Sequence, residues 1–254
     1  MSGSGPPVVD VAPLVAADRA EAERVAAEID AACRTHGFLT LVGHGLDPDL
    51  LSRLEAEART FFALDAEEKG RIAMARAGAT WRGWFPEGAE LTSGVPDGKE
   101  GLYFGEELGP DDPRVRAGWP LHGPNLFPER PVGLRPAVLA VIDALVPLAQ
   151  TLLGAMAVGL GQDEGWFRRE LTSRPTAMLR VFRYPAGTGG WGVGEHTDYG
   201  LLTLLHQDGT GGLELRGPDG WREVPPEPGA LVCNLGDMLE LLTGGRYRSC
   251  LLYT

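Results

Sequence analysis

A change of texture at Pro175 constrains this chain most. Before it, apolar residues recur at helical spacing between Gly- and Pro-rich joints. After it come short strand-like runs punctuated by turn residues. Helices first and antiparallel strands afterwards point to an α+β chain, a double-stranded β-helix (jelly-roll) core with an N-terminal helical region. Val8 to Val11 reads as a strand closed by Pro13. A helix is predicted from about Asp18 to Thr35, where Val25, Ile29 and Cys33 recur every four residues with charges opposite. A strand Phe38 to Val42 and a turn Gly43-His44-Gly45 follow, then a helix Pro48 to Phe62 with Leu50, Leu54, Ala58, Phe61 and Phe62 on its apolar side. Residues 76–131, dense in Gly, Pro and Trp, read as a long ordered loop region. A third helix is expected over about Pro136 to Leu160. Asp143, Pro147 and Gln150 interrupt it, short of the about 20 apolar residues a span needs, so a buried helix is expected and no membrane. Past Pro175, strands are predicted at 177–184, 196–206, 212–216, 221–224 and 230–234, with Gly217-Pro218-Asp219-Gly220 as a hairpin turn. The expected domains are 1–120, helical; 121–174, a loop and the long helix; and 175–254, the jelly roll.

The segment Glu195-His196-Thr197-Asp198-Tyr199-Gly200 opens an apolar run after the Gly-rich stretch from Gly187 to Gly194. On a strand, positions two apart face the same way, so His196 and Asp198 can grip one metal ion. An imidazole and a carboxylate are two of the three protein ligands in the 2-His-1-carboxylate set that holds non-haem Fe(II) with positions left open. A bare His-x-Asp is a weak signal alone. The net charge of -12 argues against a nucleic-acid partner and leaves a small-molecule substrate. Cys33, Cys233 and Cys250 form no C-x-x-C pair and read as thiols in a reducing compartment. The first residues lack a basic start and an apolar core, so no signal peptide is expected and the expected location is cytoplasmic.

Several ordered motifs then carry a resemblance. Ala32-Cys33-Arg34-Thr35-His36-Gly37-Phe38, Gly43-His44-Gly45-Leu46, Phe61-Phe62-Ala63-Leu64, Trp119-Pro120-Leu121-His122-Gly123-Pro124-Asn125, Leu179-Arg180-Val181-Phe182-Arg183-Tyr184-Pro185, His196-Thr197-Asp198-Tyr199-Gly200 and Asn234-Leu235-Gly236-Asp237 occur in sequence. Together they resemble the isopenicillin N synthase-like branch of the Fe(II)/2-oxoglutarate-dependent oxygenases, over nearly the whole chain. The resemblance implies that His196 and Asp198 bind iron and that the Tyr184 phenol hydrogen-bonds the 2-oxoglutarate carboxylate. It implies an oxidoreductase that uses Fe(II), 2-oxoglutarate and O2 to oxidise a C–H bond of a small organic substrate. Phe182 stands where plant relatives often carry Asn. Arg180 and Arg183 are candidates to pair with a carboxylate. Trp81, Trp84, Phe85, Tyr103 and Phe104 are candidates to line a substrate pocket. His36 and His44 are expected to be structural, and His122 to lie in the loop region. His206 lies roughly 33 Å from His196 along a straight strand, too far to share a metal.

In the family, a segment like Gly244-Gly245-Arg246-Tyr247-Arg248-Ser249 is followed within a few residues by the distal iron-binding His, then by an Arg-x-Ser pair for 2-oxoglutarate. Here Cys250-Leu251-Leu252-Tyr253-Thr254 follows, the histidine position falls at about Leu252, and Arg-x-Ser is absent. The expectation is a jelly roll incomplete at its C-terminus, poorly folded or inactive, with unpaired strand edges. The five residues are what TGT-CTC-TTA-TAC-ACA encodes, a string matching a transposon-end adapter of sequencing libraries, and they are expected to be non-native. Two rival readings are an oxidase of the isopenicillin N synthase type that does not use 2-oxoglutarate, and a non-catalytic jelly-roll module.

Overall fold

The first long helix forms at Arg19–Thr35 in the computed structural model, which describes residues 5–186, 192–217 and 220–254. Asp18 caps it through Glu21 N–H, and Val25, Ile29 and Cys33 are fully buried, as their spacing requires. The second, Pro48–Phe62, has Asp47 as its cap and Pro48 in its first turn, and buries the five apolar residues expected of it. Gly37 joins the first helix to the next strand at φ +65°. A Cβ there would meet Arg248 O at 2.0 Å, so only glycine fits.

The strands in chain order are β1 (Val8–Asp10), β2 (Phe38–Val42), β3 (Gly83–Phe85), β4 (Leu91–Thr92), β5 (Val95–Pro96), β6 (Glu100–Gly105), β7 (Met178–Arg183), β8 (Leu202–Leu205), β9 (Glu214–Gly217), β10 (Gly220–Glu223), β11 (Leu231–Leu235) and β12 (Leu252–Tyr253). The chain forms two compact units. One comprises the chain up to Leu46, Pro147–Ser173 and Glu195–Thr254; the other comprises Asp47–Val146 and Arg174–Gly194. These pieces interleave along the sequence.

In the first unit a sheet of order β1-β2-β11-β8 faces a sheet of order β10-β9-β12. Phe38, Leu213, Leu215, Val224, Val232 and Leu252 pack between them as the jelly-roll core of this α+β chain. Among the described residues β8 pairs with β11 alone, so it stands at a sheet edge. The second unit holds a sheet of order β3-β6-β7, in which every residue of β7 pairs antiparallel with β6.

Two expectations need correction. The stretch 196–206 is not one strand: His196 makes an isolated bridge, residues 197–201 bend, and β8 starts at Leu202. The bend exists because this backbone bonds sideways, Gly236 N–H to Leu201 O, Asp237 N–H to Asp198 O and Met238 N–H to Tyr199 O. Gly236 permits the approach, since a Cβ there would meet Gly200 O at 2.2 Å. The region 76–131 is not loop throughout, because it supplies β3 and β6, whose residues are all buried. Burial on both faces removes the alternation that would have marked them. Of the turn at 217–220, Gly217 and Gly220 pair across β9 and β10, while Pro218 and Asp219 lie outside the described residues, as do residues 187–191 of the Gly-rich stretch.

The long apolar helix runs Leu134–Gly159 with Pro147 inside it. By length and composition alone it could cross a membrane. Val138, Val141, Leu152 and Met156 on it are fully buried, and Gln150 bonds Thr172 through both amide atoms.

Candidate active site

His196 and Asp198 come together in the first unit. His196 Nε2 stands 3.9 Å from Asp198 Oδ1, with side chains 29% and 17% exposed, so both are held yet reachable. His196 is fixed by an antiparallel bridge to Leu252, its N–H donating to Leu252 O at 3.0 Å and its C=O accepting from Leu252 N–H at 2.9 Å. Asp198 is oriented through its other oxygen. Asn234 Nδ2 donates to Oδ2 at 2.7 Å, and Thr203 Oγ1 donates to the same atom. Asn234 and Thr203 are directly paired across β11 and β8. Thr197 Oγ1 donates to Asp237 Oδ2 at 2.9 Å, tying the bend to the helix Asp237–Leu242. Two oxygens with different tasks leave Oδ1 as the one facing the imidazole. Supporting hydrogen bonds of this kind orient metal-binding side chains.

His36, His44 and His122 each have a partner of their own. His44 Nε2 lies 2.9 Å from Gly229 O, and His36 Nδ1 lies 2.6 Å from Thr35 Oγ1. His122 lies 2.8 Å from Pro120 O and packs edge-on to Trp119. The bend at 197–201 removes the straight strand on which His206 was measured. Even so, no group of three or more His, Cys, Asp or Glu among the described residues is placed to hold a metal.

In the second unit, strand alternation divides the candidate pocket residues between two faces. Arg180, Phe182 and Tyr184 share one face of the β7 line with Phe85 of β3 and Tyr103 of β6. The Tyr103 ring lies 5.4 Å from Phe85 and 6.2 Å from Phe182, and Phe182 lies 6.4 Å from Tyr184. Trp81 joins this cluster at 6.3 Å from Tyr103. Arg180 stands over the Tyr103 ring at 5.3 Å. Burial, before any neighbouring charge, pushes the Tyr103 phenol well above its ordinary range, so it stays a donor, to Glu90 Oε1 at 2.6 Å. Trp84 and Phe104 face the other way and belong to packing: Phe104 stacks on Phe127, and Trp84 Nε1 donates to Glu100 Oε2 at 2.9 Å. Arg183 does pair with a carboxylate, but with Glu100 of its own unit, at 2.7 Å. Sequence reasoning missed Glu100, which also holds Lys69 at 2.8 Å, and it missed Asn234 and Thr203 as partners of Asp198.

The residues fit an iron site in part. An imidazole and an oriented carboxylate are present, while Leu252, the residue bridged to His196, has a hydrocarbon side chain with no donor atom.

The chain is also similar to known proteins. Residues 6–130 match the family model for the N-terminal region of non-haem dioxygenases in morphine synthesis, and residues 175–251 match that of the 2OG-Fe(II) oxygenase superfamily. An iron/ascorbate oxidoreductase of Dictyostelium discoideum is 42% identical over 250 residues, covering 89% of this chain and 69% of that protein. A homoarginine-6-hydroxylase of Glycine max is 35% identical, covering 96% of this chain and 79% of that one. Among solved structures, a full-length Neurospora crassa protein in complex with alpha-KG superposes with a TM-score of 0.85 at 26% identity, covering 100% of this chain and 79% of that one. A 2OG-Fe(II) oxygenase family protein from Caulobacter crescentus also gives 0.85, at 28% identity, covering 99% and 80%. With this fold, this His-x-Asp pair and these relatives, the chain belongs to the 2OG-Fe(II) oxygenase superfamily, whose members are oxidoreductases that use Fe(II), 2-oxoglutarate and O2.

Proposed function

We propose that His196 and Asp198 are the iron donors of this oxygenase, that the Tyr184 phenol holds a carboxylate of 2-oxoglutarate, and that the substrate is a small organic molecule. The observation that carries the metal assignment is the Asp198 carboxylate, turned by Asn234 and Thr203 so that Oδ1 faces His196 Nε2 at 3.9 Å. Bound Fe(II) with 2-oxoglutarate and O2 supplies oxidation of a C–H bond; the protein positions and shields the substrate. The aromatic face of the β3-β6-β7 sheet, with Arg180 exposed on it, suits a small molecule with an apolar body. Small-molecule work is also what the relatives' names describe, thymine in a second complex of the Neurospora crassa protein and JA in the JOX2 complex.

That residues 250–254 stand in for a native histidine-bearing strand is part of the same proposal. The placement of Leu252 supports it, and reading the genomic locus through the Ser249 codon checks it. A cytoplasmic location is also proposed, supported by the buried free thiols Cys33 and Cys233.

The test is iron analysis together with CO2 release from labelled 2-oxoglutarate, on the protein the locus encodes. One Fe(II) per chain and CO2 release are expected, both lost in His196→Ala and in Asp198→Ala. Undiminished iron in either variant refutes the assignment. A second reading, oxidation without 2-oxoglutarate, is favoured by the 42% identity to a Dictyostelium discoideum protein named for iron and ascorbate. Turnover unchanged when 2-oxoglutarate is omitted would select it.

A further inference from the structure

We infer that Leu252 occupies the third donor corner of the metal site, so that this 254-residue chain presents a preformed but two-donor centre that one substitution completes. The inference rests on His196 and Asp198 being the other two donors.

Three observations carry it. First, His196 and Leu252 are directly opposed, with both reciprocal backbone bonds made at 3.0 and 2.9 Å. In such a pair the Cα atoms are about 5.5 Å apart and the side chains leave the same face. Leu252 is in turn opposed to Leu215, so His196, Leu252 and Leu215 form one row across the sheet. Leu215 and Leu252 are buried in the jelly-roll core, which shows that the row faces inward and that His196 lies at its accessible end. Second, the rest of the site is built. Asp198 Oδ2 already accepts from Asn234 and Thr203, so Oδ1 has nothing to lose on meeting a cation. Third, no other His, Cys, Asp or Glu among the described residues completes a group of three.

A leucine offers no lone pair. A divalent ion here has two protein donors, and every other position falls to water or small ligands. Losing even a hydrogen-bonded supporter of a metal ligand costs about 10–100-fold in affinity, and losing a ligand itself costs at least the upper figure. The fold around the corner is otherwise formed, so the defect is local.

The experiment titrates Co(II) into the 254-residue chain and into its Leu252→His and Leu252→Cys variants, with folding checked by circular dichroism. The cysteine variant is included because its small apolar side chain suits a buried strand position if the imidazole does not, and a thiolate on Co(II) gives a charge-transfer band of its own. Expected is weak binding by the original chain, tightened about 100-fold or more in either folded variant, with the band in Leu252→Cys. Adding His196→Ala to either variant is expected to remove the gain. Binding by the original chain as tight as in the variants overturns the inference, as does a folded variant with no gain. A gain that survives His196→Ala instead sinks the assignment of His196, and with it the inference.

Discussion

Asn234 Nδ2 lies 2.7 Å from Asp198 Oδ2, a contact that ties β11 to the bend carrying the candidate donors. Asn234 is 1% exposed, so the bond is made out of water, where a lost partner is expensive. Asn234→Ala is expected to destabilise the fold by about 1–3 kcal/mol in urea melts. Part of that cost belongs to the pair alone, so a double-mutant cycle with Asp198→Ala should return about 1 kcal/mol of coupling. A coupling near zero would mean that Asn234 merely packs.

Glu100 gives a second, larger prediction. Its two oxygens hold Lys69 Nζ at 2.8 Å and Arg183 Nη1 at 2.7 Å, and Trp84 Nε1 adds a third bond. Lys69 is 11% exposed at its side chain, so removing the acid leaves a buried cation, and Glu100→Ala should cost about 3–5 kcal/mol. Arg183 is 45% exposed and its share is screened, so Arg183→Ala should cost no more than about 1 kcal/mol. Equal losses in thermal melts would show that the network is not weighted as its burial implies.

The contrast between these sites explains what the sequence made legible. Helices announced themselves through Val25, Ile29 and Cys33, or Leu50, Leu54 and Ala58, because one face is wet and the other dry. His196 and Asp198 were readable as a pair because their roles sit two positions apart in the chain. Asn234 and Thr203 were not, since they reach Asp198 from 36 and 5 residues away and only strand register joins them. Glu100 was hidden for the same reason, its partners lying 31 and 83 residues distant. β3 and β6 escaped notice because burial on both sides erases the alternation by which a half-exposed strand is recognised.

Alkaline pH should loosen the first unit through two thiols. Burial pushes Cys233 from its ordinary 9.0 up to about 12, and burial, with Cys233 nearby, pushes Cys33 up as well. Below pH 9 both folded and unfolded chains keep these protons, and the stabilisation is whole. Above it the unfolded chain releases protons that the fold retains, so stability falls as pH rises toward the folded values. Between about pH 9 and 10 the melting temperature should drop more steeply for the original chain than for Cys33→Ala with Cys233→Ala. Parallel slopes would contradict the linkage.

Tyr184 provides the most direct check on the proposed co-substrate contact. It follows β7 immediately, its residue is 44% exposed, and its ring leans edge-on toward Phe182 at 6.4 Å. A phenylalanine keeps this ring contact, and a Tyr184→Phe change takes away the hydroxyl. Surface changes of that kind usually move stability by no more than about 0.5 kcal/mol. A hydrogen bond to a charged carboxylate is worth about 1.5–3 kcal/mol, or roughly 10- to 100-fold in affinity. In calorimetric titrations of the locus-encoded protein with Mn(II) present, Tyr184→Phe should therefore weaken 2-oxoglutarate by about 10-fold or more at an unchanged melting temperature. Equal affinity in the two proteins would remove Tyr184 from the site, and a fall in both affinity and melting temperature would make it a packing residue.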